Sequence, residues 1–202
     1  MRPRMWSRVA RALVAGLGLA ALPIVVSVPA EAVEACTTRN LSQPFVNWGD
    51  SNNYFPVTSG TFETGTTGWT IGSGVTRAPE NEPWRVAGGS SSLKIPAGSS
   101  ASTAEMCLTA DEDSTRFFYK APGSGQSLQV TIKATNTVQH ITYVTSFTLQ
   151  TGVLPGWQLT PRIPLPDVRG TTGTENVVIT LAPNGTAPWL IDDVFVDPSR
   201  TR

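Results

Sequence analysis

Residues 127–134 read Ser-Leu-Gln-Val-Thr-Ile-Lys-Ala, and apolar and polar side chains alternate through them without a break. Leu128, Val130, Ile132 and Ala134 oppose Gln129, Thr131 and Lys133. A period of two puts the two sets on opposite faces of an extended chain, so this run predicts a strand with one face against a core. Residues 140–150 set Ile141, Tyr143, Phe147 and Leu149 to one side, and 176–181 do the same with Val177, Ile179 and Leu181. Shorter runs at 67–71, 84–86, 92–95, 101–108, 115–120, 157–163 and 189–197 have strand composition, with Gly, Pro, Ser and Thr punctuating the chain between them. No stretch of the mature chain carries a helical period. Short strands divided by turn residues predict an all-β fold, a two-sheet antiparallel β-sandwich of jelly-roll type spanning 58–202. Residues 36–57, with Gln43-Pro44 and Gly49-Asp50-Ser51-Asn52-Asn53, read as an extended polar lead-in.

The first 35 residues belong to a different problem. Arg2, Arg4, Arg8 and Arg11 precede an uncharged run from Leu13 to Val28, and small residues then offer cleavage after Ala32 or Ala35. That is the layout of a secretory signal peptide. The apolar run holds 16 residues and includes Pro23, shorter than the roughly 20 needed to span a bilayer. The expected destination is therefore extracellular, with no integral membrane segment after processing. A lipid anchor on Cys36 is the alternative, and Glu34 in the preceding Val-Glu-Ala makes it awkward.

Removing residues 1–35 leaves 167 residues with 11 basic and 13 acidic side chains and no basic run. That balance disfavours nucleic acid and anionic membrane as partners. The length suits one domain, expected to be a monomer. Cys36 and Cys107 are the only cysteines, and in an exported chain the simplest expectation is that they pair.

Candidate chemistry is thin. His140 is the only histidine, no Gly-x-Ser-x-Gly elbow occurs, and Ser90 to Ser92 follow Gly88-Gly89 as a turn would. A triad and a zinc site are both disfavoured. Glycoside hydrolysis needs only two carboxylates. Asp111-Glu112-Asp113 is the densest acidic group but has the composition of a turn, while Glu105 and Glu175 lie on strands with no evident partner. No catalytic residue is assigned, and a small glycoside hydrolase remains the minority alternative. Trp48, Trp84 and Trp157 have polar or turn neighbours and are the candidates to stack on sugar rings. The alternative for each is a ring that covers a sandwich edge, and two of them exposed and coplanar on one surface would decide for sugar binding.

The terminal Trp189-Leu190-Ile191-Asp192-Asp193-Val194-Phe195-Val196 poses the sharpest question. It has strand composition around two adjacent carboxylates, and alternation turns one of them inward, where it needs a compensating partner. Together with Gly60-Thr61-Phe62-Glu63 and Gly68-Trp69 it resembles carbohydrate-binding modules of the galactose-binding-like jelly-roll type. The resemblance implies that first and last strands lie close, that Phe62, Trp69 and Trp189 belong to the core, and that a structural Ca²⁺ sits between Glu63 and Asp192. Backbone carbonyls near Thr61 would complete its shell, with Asp193 alongside. Ca²⁺ accepts six to eight oxygens of carboxylates and carbonyls in irregular geometry, so the donor types are suitable. Without a metal, Asp192 would accept hydrogen bonds from a turn or pair with an arginine such as Arg85, and Asp193 would be solvated.

A second resemblance covers nearly the whole mature chain. An early Cys, Phe-Glu-x-Gly then Gly-Trp, Asn81-Glu82-Pro83-Trp84-Arg85-Val86, Met106-Cys107, Arg116-Phe117-Phe118 and the Ile-Asp-Asp-Val-x-Val-Asp-Pro ending occur in one order. This is similar to a family of uncharacterised small secreted bacterial proteins; it implies the same fold and the Cys36–Cys107 pair, and no activity. The function expected is non-catalytic binding of a cell-wall or environmental glycan. The alternative is a structural or protein-interaction domain at the cell surface without a sugar site.

Overall fold

A computed structural model describes residue 36 and residues 39–109, 112–121, 123–150, 156–169 and 173–197. These fall within one compact unit, Glu31–Arg202. The expected signal segment 1–35 and Asp111 lie outside the described residues. Among the described residues no helix is long and apolar enough to cross a membrane.

Two antiparallel sheets form the sandwich. The seven-stranded sheet runs β10 (Trp157–Leu159), β7 (Ser114–Lys120), β13 (Trp189–Asp197), β4 (Ser92–Ile95), β3 (Thr76–Ala78), with β1 (Phe55–Pro56) on β13 and β11 (Ile163–Pro164) on β7. The six-stranded sheet runs β2 (Thr70–Ile71), β5 (Ala101–Ser102), β12 (Glu175–Asn184), β8 (Ser127–Asn136), β9 (Thr142–Gln150), with β6 (Met106–Leu108) on β12. The first strand thus pairs with the last, Phe55 opposite Val196.

Alternation explains the core. Leu128, Val130, Ile132 and Ala134 of β8 and Val177, Ile179 and Leu181 of β12 are buried, facing Phe117 of β7 and Trp189, Ile191, Val194 and Val196 of β13. Phe62 and Trp69 sit in the same core with ring centroids 5.1 Å apart, and the Trp69 indole N–H donates to the Thr58 carbonyl. Burial of an aromatic side chain removes about 150–250 Å² from water, on the order of 4–6 kcal/mol each by area.

Several expectations need correction. Residues 84–86 form a turn, not a strand. Two of the longer runs divide, 101–108 into β5 and β6 and 157–163 into β10 and β11. Ile141 and Tyr143 are 58% and 56% exposed. They belong to the start of an edge strand region, and only Phe147 and Leu149 of β9 reach the core. Residues 39–57 are not a polar lead-in alone. Phe45, Tyr54, Phe118 and Phe195 form a second apolar cluster on the outer face of the seven-stranded sheet, and Trp48, Val86, Trp157 and Leu159 lean on it. Tyr54 donates to Asp50 Oδ2 at 2.6 Å and Arg116 binds the same oxygen at 2.7 Å while covering the Phe45 ring. Asn52 donates to Asp197, and Cys36 is bonded to Cys107. That disulfide occupies the sulfur a lipid anchor would need.

Candidate functional site: a carboxylate hub beneath an aromatic surface

Both carboxylates of the Asp192-Asp193 pair are fully buried. Strict alternation would separate them, but the β7–β13 register shifts between Asp192 and Phe195, and Asp193 has φ of +49°. This bulge lets two consecutive side chains be enclosed where a regular strand would expose one. Asp192 lies opposite Phe118 on the outer face, yet is covered by the loop that follows β3.

That loop is folded around acids. Glu82, only 1% exposed, accepts the amides of Trp84 (2.6 Å) and Val86 (2.5 Å). Its own amide donates to Asp192 Oδ2 at 3.1 Å, and the Ala87 amide donates to Asp193 Oδ2 at 3.0 Å. Glu63 Oε1 accepts the amides of Ser90 and Ser91 at 3.0 and 2.8 Å. The turn amides expected as the metal-free partners of Asp192 are therefore present, whereas Asp193 is enclosed rather than solvated. Arg85 makes no ion pair among the described residues and points from an exposed turn.

The acids remain under-compensated. Burial first, and then Asp193 and Glu82, push the Asp192 pKa up to about 8. Burial, with Glu82 and Glu63 beyond it, pushes Asp193 to about 7 against the help of the Ala87 amide. Asp193 Oδ1 is buried and has no hydrogen-bond partner among the described residues. Glu63 thus bears on Asp193 rather than on Asp192, the member favoured from the sequence. Thr61 adjoins Gly60, whose carbonyl accepts the Val194 amide beside the bulge. Among the described residues no group of three or more His, Cys, Asp or Glu side chains is arranged to hold a metal ion. A cation here would therefore rely on backbone carbonyls as well. Sequence reading missed Glu82, although its spacing before Trp84 and Val86 suits a side chain accepting from the turn it opens.

Directly above lies the aromatic surface. Trp84 is 46% exposed, 5.3 Å from Phe118 at 33° and 5.1 Å from Trp48 at 85°. Trp48 also meets Phe118, at 5.3 Å. Trp157 is half-buried against the same cluster and donates its indole N–H to Glu80 at 3.2 Å. The candidates Trp48, Trp84 and Trp157, spread over more than a hundred residues of sequence, thus share one outer face, but they are not coplanar.

Three of the acids considered for hydrolysis, Glu112, Asp113 and Glu175, are bound into the framework. Glu112 is buried and accepts from the Thr109 amide and hydroxyl, Asp113 binds Arg162, and Glu105 is exposed and makes no ion pair among the described residues. Glu175 lies 3.8 Å from Arg169 and accepts the Val168 amide, and burial raises its pKa. His140 is exposed in the turn between β8 and β9.

No protein-family model and no curated protein matches this chain. Among solved structures it is similar to the module TmCBM61 in complex with β-1,4-galactotriose, with a TM-score of 0.46, 17% identity, and coverage of 69% of this chain and 95% of that one. It is also similar to the CBM22-1–GH10 modules of the Clostridium thermocellum xylanase Xyn10B with xylohexaose, with a TM-score of 0.50, 15% identity, and coverage of 73% of this chain and 29% of that one. The CBM22-1 xylan-binding domain of Paenibacillus barcinonensis Xyn10C matches with a TM-score of 0.44, 18% identity, and coverage of 68% and 90%. The likeness is one of fold: two antiparallel sheets in the β-sandwich of carbohydrate-binding modules.

Proposed function

We propose that this chain is an exported, non-catalytic glycan-binding module. The observation that carries the reading is the gathering of Trp48, Trp84 and Trp157 with Phe118 on one outer sheet face, Trp84 standing 46% exposed. An indole held by neighbouring rings presents an apolar surface to the C–H face of a pyranose and loses little freedom on binding. Cell-wall or environmental polysaccharide is the ligand class, as expected from the sequence, and the sandwich fold shared with carbohydrate-binding modules is in keeping with it. Export is supported by the Cys36–Cys107 bond, which persists in oxidising compartments.

A structural Ca²⁺ at Asp193, with Glu63, Asp192 and carbonyls near Thr61, is part of the proposal. Its support is the buried Asp193 Oδ1, which has no hydrogen-bond partner among the described residues, and the surrounding carboxylates of Asp192, Glu63 and Glu82, with which no lysine or arginine forms an ion pair among those residues. A bound cation would neutralise them and fix the loop that carries Trp84.

Residues 36–202 are to be tested by polysaccharide pull-down and glycan array with calcium and with EDTA. Binding to at least one polysaccharide is expected, lost in Trp84→Ala with an unchanged melting temperature. Absence of binding across the panel in both conditions would remove the reading. EDTA is expected to lower the melting temperature of the wild type but not of Asp193→Asn; an indifferent wild type removes the cation alone.

A further inference from the structure

Beside the aromatic surface, the outer face of the seven-stranded sheet carries a groove of about 340 Å³ lined by Ala78, Pro79, Glu80, Lys94, Lys120 and Leu190 among others. That volume falls within the range of small-ligand sites. Its base follows from register. Lys94 of β4 lies opposite Leu190 of β13, Leu190 opposite Lys120 of β7, and Lys120 opposite Trp157 of β10. Directly opposed residues of antiparallel strands share a face. Leu93 and Ile95 point into the core, so Lys94 and its row point outward. The row therefore reads lysine, leucine, lysine, tryptophan across four strands. At about 4.8 Å per strand, the two lysines stand about 10 Å apart and Trp157 a further strand away.

The charges in this groove are not balanced. Glu80 accepts from Lys120 Nζ and from the Trp157 indole, so it offsets Lys120 and orients the ring. Lys94 is exposed and has no carboxylate partner among the described residues. One uncompensated ammonium thus stands over an apolar floor of Leu190, Ala78 and Pro79, and the Trp157 indole adjoins the groove through its hydrogen bond to Glu80. The outer face of the other sheet differs: Gln129, Thr131 and Lys133 of β8 lie opposite Thr148, Ser146 and Val144 of β9, with no aromatic side chain in these pairs.

We infer that this groove makes the module selective for acidic polysaccharide, taking a uronate residue with its carboxylate on Lys94 and its ring over Leu190 toward Trp157. The inference rests on the glycan-binding reading and names the substrate class of the same face. Lys94 supplies the specificity, because an ammonium paired with a sugar carboxylate is a charge-assisted bond that a neutral hexose cannot make. Glu80 acts in the opposite sense, since its charge repels the same carboxylate.

The test uses residues 36–202 and measures binding to polygalacturonate, dextran sulfate, xylan and galactan by affinity electrophoresis and calorimetry. Polygalacturonate is expected to bind most tightly. Lys94→Gln should weaken it about tenfold, the usual scale for loss of a charge-assisted bond. Lys133→Gln, on the opposite sheet, should leave it unchanged, and Glu80→Gln should strengthen it. Retained melting temperatures separate these effects from unfolding. Xylan or galactan binding as tightly as polygalacturonate, with Lys94→Gln silent, overturns the inference while leaving the glycan reading intact. Preference for dextran sulfate, or equal loss in Lys133→Gln, overturns it in favour of diffuse ion exchange. No binding to any of the four overturns it, and the glycan reading falls with it only if the wider array is blank as well.

Discussion

Gly88 and Gly89 offer a matched pair for testing how tightly the carboxylate hub is built. Both are left-handed, with φ of +81° and +96°. A Cβ on Gly88 would meet nothing within 4 Å, whereas a Cβ on Gly89 would lie 2.1 Å from Glu63 Cδ and 2.3 Å from Oε1. Gly88→Ala therefore pays only for conformation, about 1–2 kcal/mol. Gly89→Ala carries that cost and also expels the Glu63 carboxylate, which must surrender the Ser90 and Ser91 amides. Hydrogen bonds to a charged group are worth about 1.5–3 kcal/mol, so the second variant should be the worse by about 3 kcal/mol. For a domain of this length that difference corresponds to about 6–12 °C in melting temperature. Urea denaturation of the two variants beside the wild type gives the comparison directly. Equal midpoints would refute the reasoning, because they would mean that Glu63 can leave its amides at no cost. The Gly89→Ala protein should also lose any response to EDTA, which Gly88→Ala should keep.

Reduction of Cys36–Cys107, separated by 71 residues, releases a loop whose closure is worth about 4 kcal/mol; a fall of about 8–16 °C in melting temperature is expected, and free-thiol labelling of the native protein would contradict it. In EDTA, stability should decline as pH rises from about 4 to about 8. Burial raises the folded-state values of Asp192 and Asp193 to about 8 and about 7 from 3.8, so the unfolded chain ionises first and the folded chain binds more protons across that window. Denaturation midpoints at pH 5 and pH 8 check the sign, and a midpoint that rises between them would contradict it.

The sequence of itself determined the class of fold and the identity of the core. Period two in 127–134 and 176–181 states which side chains face inward, since alternation follows from the geometry of each residue and its immediate neighbours. The Phe62–Trp69 pair and the buried Trp189 were legible from motifs that resemble those of carbohydrate-binding modules, and the Cys36–Cys107 bond from there being only two cysteines to pair. Local rules failed where distant segments meet. Alternation turned one of Asp192 and Asp193 outward, but the bulge and the covering loop enclosed both. Glu82 acquired its role from amides within its own turn and from an aspartate 110 positions away. Ile141 and Tyr143 had the pattern of core residues but lie toward a sheet edge, which no local period encodes. Only the tertiary structure brought Trp48, Trp84 and Trp157 to one face, and only strand register aligned Lys94, Leu190, Lys120 and Trp157. The physical reason is that pairing between β-strands is a long-range choice: backbone hydrogen bonds are alike along a strand, and burial over the whole sandwich selects the register.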